Sequence, residues 1–192
     1  MLDQLKTKIF ADGADLPGIL ELAKREYISG FTTNPTLMRA AGVTNYANFA
    51  KRVLAEIKDM PVSFEVFADD LPTMEKQAIE IASWGDNVNV KIPVTTTKGE
   101  FTLPILKSLS DVGVSLNVTA LMTAKQVERV ISSLNSSVSS IISVFAGRVA
   151  DTGRDPVPLM KECLTILSSN PKAELLWASP REVFNIFEAS RI

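Results

Sequence analysis

The chain has 192 residues and a net charge of −2, and 46% of its residues are apolar while 22% are charged. These values are typical of globular proteins, and the length suits one sizeable core, so we expect a single domain over residues 1–192. Acidic and basic residues are mixed along the chain. We therefore expect neither nucleic acid nor a membrane surface as a partner.

Histidine is absent and Cys163 is the only cysteine. An internal disulfide, a cysteine zinc site and any histidine triad or histidine metal site are thereby excluded. Acid–base chemistry near neutral pH must use Asp, Glu, Lys, Tyr, Cys or water. The N-terminal residues have no apolar signal-peptide core, and no apolar run approaches the roughly 20 residues of a membrane span. We therefore expect a cytoplasmic protein.

The hydrophobic pattern predicts strands that alternate with helices. The predicted strands are 8–12, 30–34, 60–68, 87–93, 114–120, 138–146 and 174–179. The predicted helical regions are 15–29, 36–59, 72–84, 101–112, 123–134, 159–169 and 180–189, with a loop at 147–158. This order predicts a parallel sheet in an α/β protein. No glycine-rich phosphate loop follows a strand, which disfavours a doubly wound nucleotide binder.

The spacing of the predicted strands is similar to that of a (β/α)8 TIM barrel, which averages roughly 31 residues per unit. An eighth strand would begin at about position 200 or later at this spacing, and the chain ends at Ile192. A barrel needs closure, so either the eighth β/α unit is missing from this chain, which leaves its C-terminal unit incomplete, or another segment fills the last gap.

One side of each predicted strand carries polar or aromatic groups towards the C-terminal end, since successive side chains point to opposite faces. The residues on this side are Phe10, Asp12, Thr32, Asn34, Ser63, Glu65, Asn89, Lys91, Asn117, Thr119, Ser143, Phe145, Trp177 and Ser179. The opposite side is mostly apolar. Because barrel enzymes place catalytic groups at the C-terminal ends of strands, the pattern favours a functional site over a merely polar core.

Asp12, Glu65 and Lys91 are the only charged residues on that side. A buried ammonium needs a carboxylate partner or loses its proton, and a neutral lysine is a nucleophile that forms a Schiff base with a carbonyl. Three alternatives stay open: an exposed edge-strand position for Lys91, a helix-capping role for Asp12, and a structural ion pair of Glu65 with Lys91.

Other residues near these strand ends suit a ligand pocket. The alternative for Thr119 and Ser143 is an ordinary hydrogen bond to backbone, whereas Phe145 suits a pocket wall. Arg148 and Arg181 follow neighbouring predicted strands, and guanidinium groups bind phosphate well. The sequence therefore favours a phosphate site there, with solvated surface arginines as the alternative.

Seven motifs along nearly the whole chain resemble those of the transaldolases, barrel enzymes that use a Schiff-base lysine. The motifs are Ala11-Asp12, Thr32-Thr33-Asn34-Pro35, Val62-Ser63-Phe64-Glu65-Val66, Val90-Lys91-Ile92-Pro93, Leu116-Asn117-Val118-Thr119, Ile142-Ser143-Val144-Phe145-Ala146-Gly147-Arg148 and Trp177-Ala178-Ser179-Pro180-Arg181. Length and loop content are similar to the short branch that also contains the fructose-6-phosphate aldolases.

The resemblance implies a barrel of the class I aldolase type and a role for each site residue. Lys91 forms the imine, Asp12 is the acid–base group, and Glu65 and Thr119 hold a water that shuttles protons. Asn34, Asn117 and Ser143 bind the dihydroxyacetone part of the substrate, beside Phe145. Arg148, Ser179 and Arg181 bind the sugar phosphate. The implied chemistry needs neither a metal nor another cofactor.

Two positions separate the branches of the family. In the aldolases these positions resemble glutamine and tyrosine, whereas this chain has Glu65 and Phe145. The difference favours a transaldolase. The resemblance thus implies a cytoplasmic transaldolase of the pentose phosphate pathway that transfers dihydroxyacetone from fructose 6-phosphate to erythrose 4-phosphate. The alternatives are a fructose-6-phosphate-type aldolase and a truncated barrel that only binds sugar phosphates. With a C-terminal unit present, the resemblance implies a homo-oligomer.

Overall fold

A computed structural model describes residues 5–192 of the chain and shows seven parallel strands joined in sequence order. The strands are β1 (Ile9–Asp12), β2 (Ile28–Thr32), β3 (Val62–Glu65), β4 (Val88–Pro93), β5 (Leu116–Leu121), β6 (Ser140–Val144) and β7 (Ala173–Trp177). Each strand pairs in parallel with the next along the chain. The predicted parallel α/β architecture is confirmed.

Helices follow the strands and supply the other half of the core. They are α1 (Leu16–Ala23), α2 (Pro35–Ala40), α3 (Tyr46–Glu56), α4 (Leu71–Ala82), α5 (Leu103–Asp111), α6 (Ala124–Ser133), α7 (Ala146–Asp151), α8 (Val157–Leu167) and α9 (Phe184–Arg191). Strand residues such as Val62, Phe64 and Val90 are buried in one cluster with helix residues such as Met74 and Leu106. The apolar side of the strands therefore faces the helices, and the polar side faces away from them.

The helical region predicted over 36–59 is two helices. Asn34 caps α2 and Asn45 caps α3, each by accepting a backbone N–H from the first turn. Between the two helices, Gly42 adopts a left-handed conformation with φ of 69°, which a glycine tolerates without steric cost. The two asparagines and this glycine are the local signals that divide the region.

Other boundaries also need correction. The helix predicted over 15–29 ends at Ala23, because β2 already begins at Ile28, and further differences lie after β6 and β7. The predicted loop 147–158 begins with a short helix, α7, and the last helix begins at Phe184 rather than near 180. Ser179 has a left-handed φ of 57°, and the Asn185 side chain accepts the backbone N–H groups of Arg181 and Glu182. The chain therefore turns after β7 before α9 can start.

The sheet curls like part of a barrel, because residues of β1 and β7 line one common cavity. No strand pairs β7 with β1 within residues 5–192. An ion pair crosses the gap instead, with Lys8 Nζ 2.7 Å from the Glu174 carboxylate. On the same side, the backbone N–H of Lys6 donates to Ser190 of α9. The described residues form seven strands of the sheet and no eighth.

Within the described part of the chain, none of the helices combines the length and the apolar character that crossing a bilayer requires.

Candidate active site

A cavity of about 800 Å³ opens at the C-terminal ends of the strands and continues along the gap between β1 and β7. Nine of the eleven predicted site residues line it: Asp12, Asn34, Lys91, Asn117, Thr119, Ser143, Phe145, Ser179 and Arg181. Glu65 and Arg148 do not line the cavity. The strands therefore bring most of the predicted set to one place, because parallel strands end at the same edge of the sheet.

Lys91 and Glu65 form an ion pair at the inner ends of β4 and β3. They are register partners in the sheet, and Lys91 Nζ lies 3.3 Å from Glu65 Oε2, with only 12% and 18% of the two side chains exposed. The lysine also donates to the Thr33 carbonyl at 3.4 Å. Since β4 lies between β3 and β5, the edge-strand alternative for Lys91 is wrong, whereas the ion-pair alternative for Glu65 describes a real contact.

The environment of Glu65 makes its carboxyl a weaker acid than that of an exposed glutamate. Burial raises the pKa of the Glu65 carboxyl above its ordinary value, and repulsion from Asp12 adds to this. Attraction and hydrogen bonding to Lys91 oppose the rise without cancelling it. A carboxyl with a raised pKa beside an amine can exchange protons nearer to neutral pH than an exposed glutamate can.

Asp12 lies on the edge strand beside the cavity and is exposed. Its Oδ1 accepts a hydrogen bond of 2.8 Å from the Thr32 hydroxyl on the neighbouring strand. Asp15, rather than Asp12, caps α1 by accepting the Gly18 N–H, so the capping alternative for Asp12 is wrong. Among residues 5–192, Asp12 forms no ion pair with Lys91. It acts on Glu65 through its charge.

Tyr46 holds the end of β3 that carries Glu65. Its hydroxyl donates to the Glu65 carbonyl at 2.9 Å, and its ring packs edge-on against Phe64, Phe67 and Trp84. Burial is the main reason that the pKa of Tyr46 lies well above its ordinary value, so the phenol stays protonated and continues to donate. The sequence did not single out Tyr46, because a helical aromatic residue is typical of any core.

A buried hydrogen-bonded chain fixes the amide of Asn117. Ser143 Oγ donates to Asn117 Oδ1 at 2.6 Å, and Asn117 Nδ2 donates to Ser63 Oγ at 2.9 Å. All three side chains are buried. The amide keeps one free hydrogen and one free lone pair, which suit a substrate hydroxyl. Ser63 shares the predicted polar side of the strands, but its part in orienting Asn117 depends on contacts between three strands.

Two buried polar groups of the cavity have no hydrogen-bond partner within residues 5–192, namely Thr119 Oγ1 and Trp177 Nε1. The residue after Thr119, Ala120, has a left-handed φ of 62°, and the pairing of β5 with β6 shifts register around it. Strained backbone and unpaired buried polar groups both cost free energy. Thr119 and Trp177 line the cavity, and Thr119 does not make the backbone hydrogen bond that was its alternative.

The loops after β6 and β7 are packed tightly against each other. Gly147 donates its N–H to the Ala178 carbonyl at 3.3 Å, and a methyl group on Gly147 would overlap the Ser179 carbonyl oxygen. This contact places Ser179 and Arg181 beside α7. Arg148 is exposed and does not line the cavity, whereas Arg181 does, so the two predicted phosphate-binding arginines are not placed alike.

Asn34 both caps α2 and lines the cavity. Its Oδ1 accepts the Leu37 N–H at 3.0 Å as the cap of α2, so its amide hydrogens and the second lone pair of Oδ1 are left for a ligand in the cavity. Phe145 precedes α7 and forms part of the cavity wall, as expected. No group of three or more acidic or cysteine side chains is arranged to hold a metal ion in the part of the chain that the structure describes.

The fold and the cavity define a TIM-barrel-like α/β protein with an internal lysine at the C-terminal edge of its sheet. A model of the transaldolase/fructose-6-phosphate aldolase family matches residues 9–191. The chain belongs to this family.

Two relatives identified by sequence agree with this assignment. A probable transaldolase of Dehalococcoides mccartyi is 35% identical over 159 residues, which are 83% of this chain and 70% of that protein. A probable transaldolase of Erythrobacter litoralis is 34% identical over 186 residues, which are 96% of this chain and 81% of that protein.

Two solved structures resemble the fold at low sequence identity. A dihydrodipicolinate synthase from Rhodopseudomonas palustris has a TM-score of 0.54 at 16% identity, and the match covers 88% of this chain and 62% of that one. An orotidine 5'-phosphate decarboxylase from Pyrococcus horikoshii has a TM-score of 0.51 at 11% identity, and the match covers 96% of this chain and 100% of that one. At these identities the two matches bear on the fold alone.

The contact of Gly147 with Ser179 gives a first prediction. Gly147→Ala should lower the free energy of unfolding by on the order of 1–3 kcal/mol, because the loop after β7 must move to admit a methyl group. Gly13→Ala is the matched control, since a methyl group there meets no atom within 4 Å. Urea titrations measure both, and equal stability of the two variants would contradict the prediction.

The raised pKa of Glu65 gives a second prediction. Because the folded protein binds this proton more readily than the unfolded chain, the wild type should gain stability relative to Glu65→Gln as pH falls from the folded-state pKa to the ordinary value of 4.5. This gain in stability is lost as pH rises through the folded-state pKa. The difference in unfolding free energy between the two proteins changes by at most about 1.4 kcal/mol per pH unit. Urea titrations of both proteins across this range measure it, and a pH-independent difference would refute it.

Proposed function

We propose that the protein is a transaldolase that moves a dihydroxyacetone unit from fructose 6-phosphate to erythrose 4-phosphate. The observation that carries this proposal is the position of Lys91, whose amine lies inside the curled sheet, 3.3 Å from the Glu65 carboxylate and at the wall of the cavity. The proposed setting is the pentose phosphate pathway in the cytoplasm.

The reaction begins with attack of the neutral Lys91 amine on the ketose carbonyl carbon. The amine first transfers a proton, the carbonyl oxygen leaves as water, and a protonated imine remains. Glu65 suits the proton transfer because of its contact with Lys91 and its raised pKa. The Thr119 hydroxyl, which has no hydrogen-bond partner among residues 5–192, provides a second polar group to hold the water that carries the proton.

The carbon–carbon bond breaks in the next step. Asp12 takes the proton of the hydroxyl group beyond that bond, the electron pair of the bond moves into the protonated imine, and glyceraldehyde 3-phosphate leaves. A three-carbon enamine stays attached to Lys91. Asp12 suits this role because it lies at the cavity wall, held by the Thr32 hydroxyl with its second oxygen free to accept a proton.

The enamine then attacks the aldehyde carbon of erythrose 4-phosphate, and Asp12 returns its proton to the new hydroxyl group. Water hydrolyses the imine, which frees the Lys91 amine and releases a seven-carbon ketose phosphate. Asn117, held by Ser63 and Ser143, and the amide hydrogens of Asn34 bind the hydroxyl groups of the three-carbon unit throughout.

Phe145 distinguishes transfer from simple cleavage. An aldolase must protonate the enamine and release dihydroxyacetone, for which a hydroxyl group near the enamine is useful. Phe145 offers only an apolar ring at the cavity wall, so the enamine persists until an acceptor arrives. Ser179 and the arginines Arg148 and Arg181 are assigned to the sugar phosphate, since all three follow β6 or β7 and Ser179 and Arg181 line the cavity.

Trapping with borohydride tests the role of Lys91. Incubation with fructose 6-phosphate and borohydride should add one covalent adduct, located at Lys91 by peptide mass spectrometry. Lys91→Ala should lose the adduct and all measurable turnover while keeping the circular dichroism of the wild type. Lys107→Ala is the matched control, because this lysine is exposed and remote from the cavity. An adduct on any other lysine, or turnover by Lys91→Ala, would refute the assignment.

The requirement for an acceptor separates transfer from cleavage. With fructose 6-phosphate alone, glyceraldehyde 3-phosphate should form in no more than one equivalent per protein chain, because the enamine stays bound to Lys91. Addition of erythrose 4-phosphate should start steady turnover. A coupled assay for glyceraldehyde 3-phosphate measures both phases, and equal steady rates with and without the acceptor would identify an aldolase instead.

A further inference from the structure

Asp151, at the C-terminal end of α7, holds the guanidinium group of Arg181 through two contacts. Arg181 Nε donates to Asp151 Oδ1 at 2.9 Å, and Arg181 Nη2 donates to Asp151 Oδ2. Asp151 ends the helix that follows β6, and Arg181 lies in the loop that follows β7. The close contact of Gly147 with Ser179 joins these two segments. The ion pair of Asp151 with Arg181 therefore links the two segments that follow β6 and β7.

The pairing leaves one complete edge of the guanidinium group open. Arginine has five N–H donors in a planar fork, and Asp151 occupies one edge through Nε and Nη2. The Nη1 group and the second Nη2 hydrogen form the other edge, which can still bind two oxygen atoms of an anion. Since Arg181 lines the cavity, an anion can bind it without displacing Asp151.

The charges of Asp151, Arg181 and Arg148 also suit the binding of an anion. The hydrogen bond from Arg181 is the main reason that the pKa of Asp151 lies below its ordinary value, and Arg148 contributes to the same effect. Asp151 therefore stays ionised between two cations. These three side chains by themselves carry one more positive charge than negative charge.

We infer that Asp151 is a positioning residue that presets Arg181 for the phosphate group of the substrate and so sets the preference for phosphorylated sugars. This inference rests on the proposed function for the identity of the substrate. An arginine side chain has many rotamers, and a partner that fixes one of them before binding reduces the entropy lost when the phosphate binds. An exposed ion pair such as that of Asp151 with Arg181 adds little to folding stability. We therefore expect its effect in the affinity for phosphate.

A competing role for Asp151 has the opposite consequence. If the carboxylate instead occupied Arg181 in place of a phosphate, its removal would free the guanidinium group and tighten phosphate binding. The two roles therefore differ in the sign of the change in the dissociation constant, and one measurement decides between them.

Titration with inorganic phosphate, followed by isothermal calorimetry, tests the inference without any turnover. The dissociation constant should rise about fivefold in Asp151→Asn and further in Asp151→Ala, because the asparagine oxygen still accepts the Nε hydrogen. Asp111→Asn is the matched control, since Asp111 pairs with Lys107 on α5 away from the cavity. An unchanged or lower dissociation constant in the Asp151 variants, or no phosphate binding by the wild type, would overturn the inference.

Turnover adds a second readout that a purely structural role would not produce. In the Asp151 variants the KM for fructose 6-phosphate should rise by a similar factor with little change in kcat, and the rise should be absent for unphosphorylated fructose as donor. Equal losses with both donors would overturn the inference. If the wild type turns over neither donor, the proposed reaction fails, whereas the phosphate titration still decides the role of Asp151.

Discussion

The ion pair of Lys91 with Glu65 is the interaction on which the site depends. Two opposite charges that are less than one-fifth exposed are tolerated inside a protein only when each has a partner at close range. The fold supplies these partners from three strands, because Glu65 and Lys91 are register neighbours on β3 and β4 and the Thr33 carbonyl follows β2. Tyr46 adds support from outside the sheet by holding the Glu65 backbone.

The parallel sheet gives the cavity its chemistry. Each strand buries its apolar side against the helices and turns its polar side inward, so every strand end contributes one or two polar groups to the same edge. The Ser63–Asn117–Ser143 chain shows how these groups also orient each other. In contrast, Thr119 and Trp177 line the cavity with polar atoms that have no hydrogen-bond partner in the described part of the chain. The site thus combines a fixed framework with a few groups that are ready for a ligand.

The corner formed by the loops after β6 and β7 is built differently. Here the framework is a backbone contact between Gly147 and Ser179, and the charged groups are exposed rather than buried. Asp151 and Arg181 meet only because this contact aligns the two loops. A chemical centre with buried charges and an outer corner with exposed cations suit a small phosphorylated substrate, whose reacting carbon lies deep and whose phosphate stays near solvent.

The sequence by itself determined the alternation of strands and helices and the polar side of each strand, because both follow from short-range periodicity and from the steric rules of parallel sheets. Lys91, Asn117 and Thr119 were found in this way. The division between α2 and α3, the helix α7 and the late start of α9 depend on left-handed residues and on close contacts such as that of Gly147. The roles of Tyr46 and Asp151 likewise required the tertiary structure, because each depends on a partner that lies 19 or 30 residues away in sequence and is brought close only by the folded sheet.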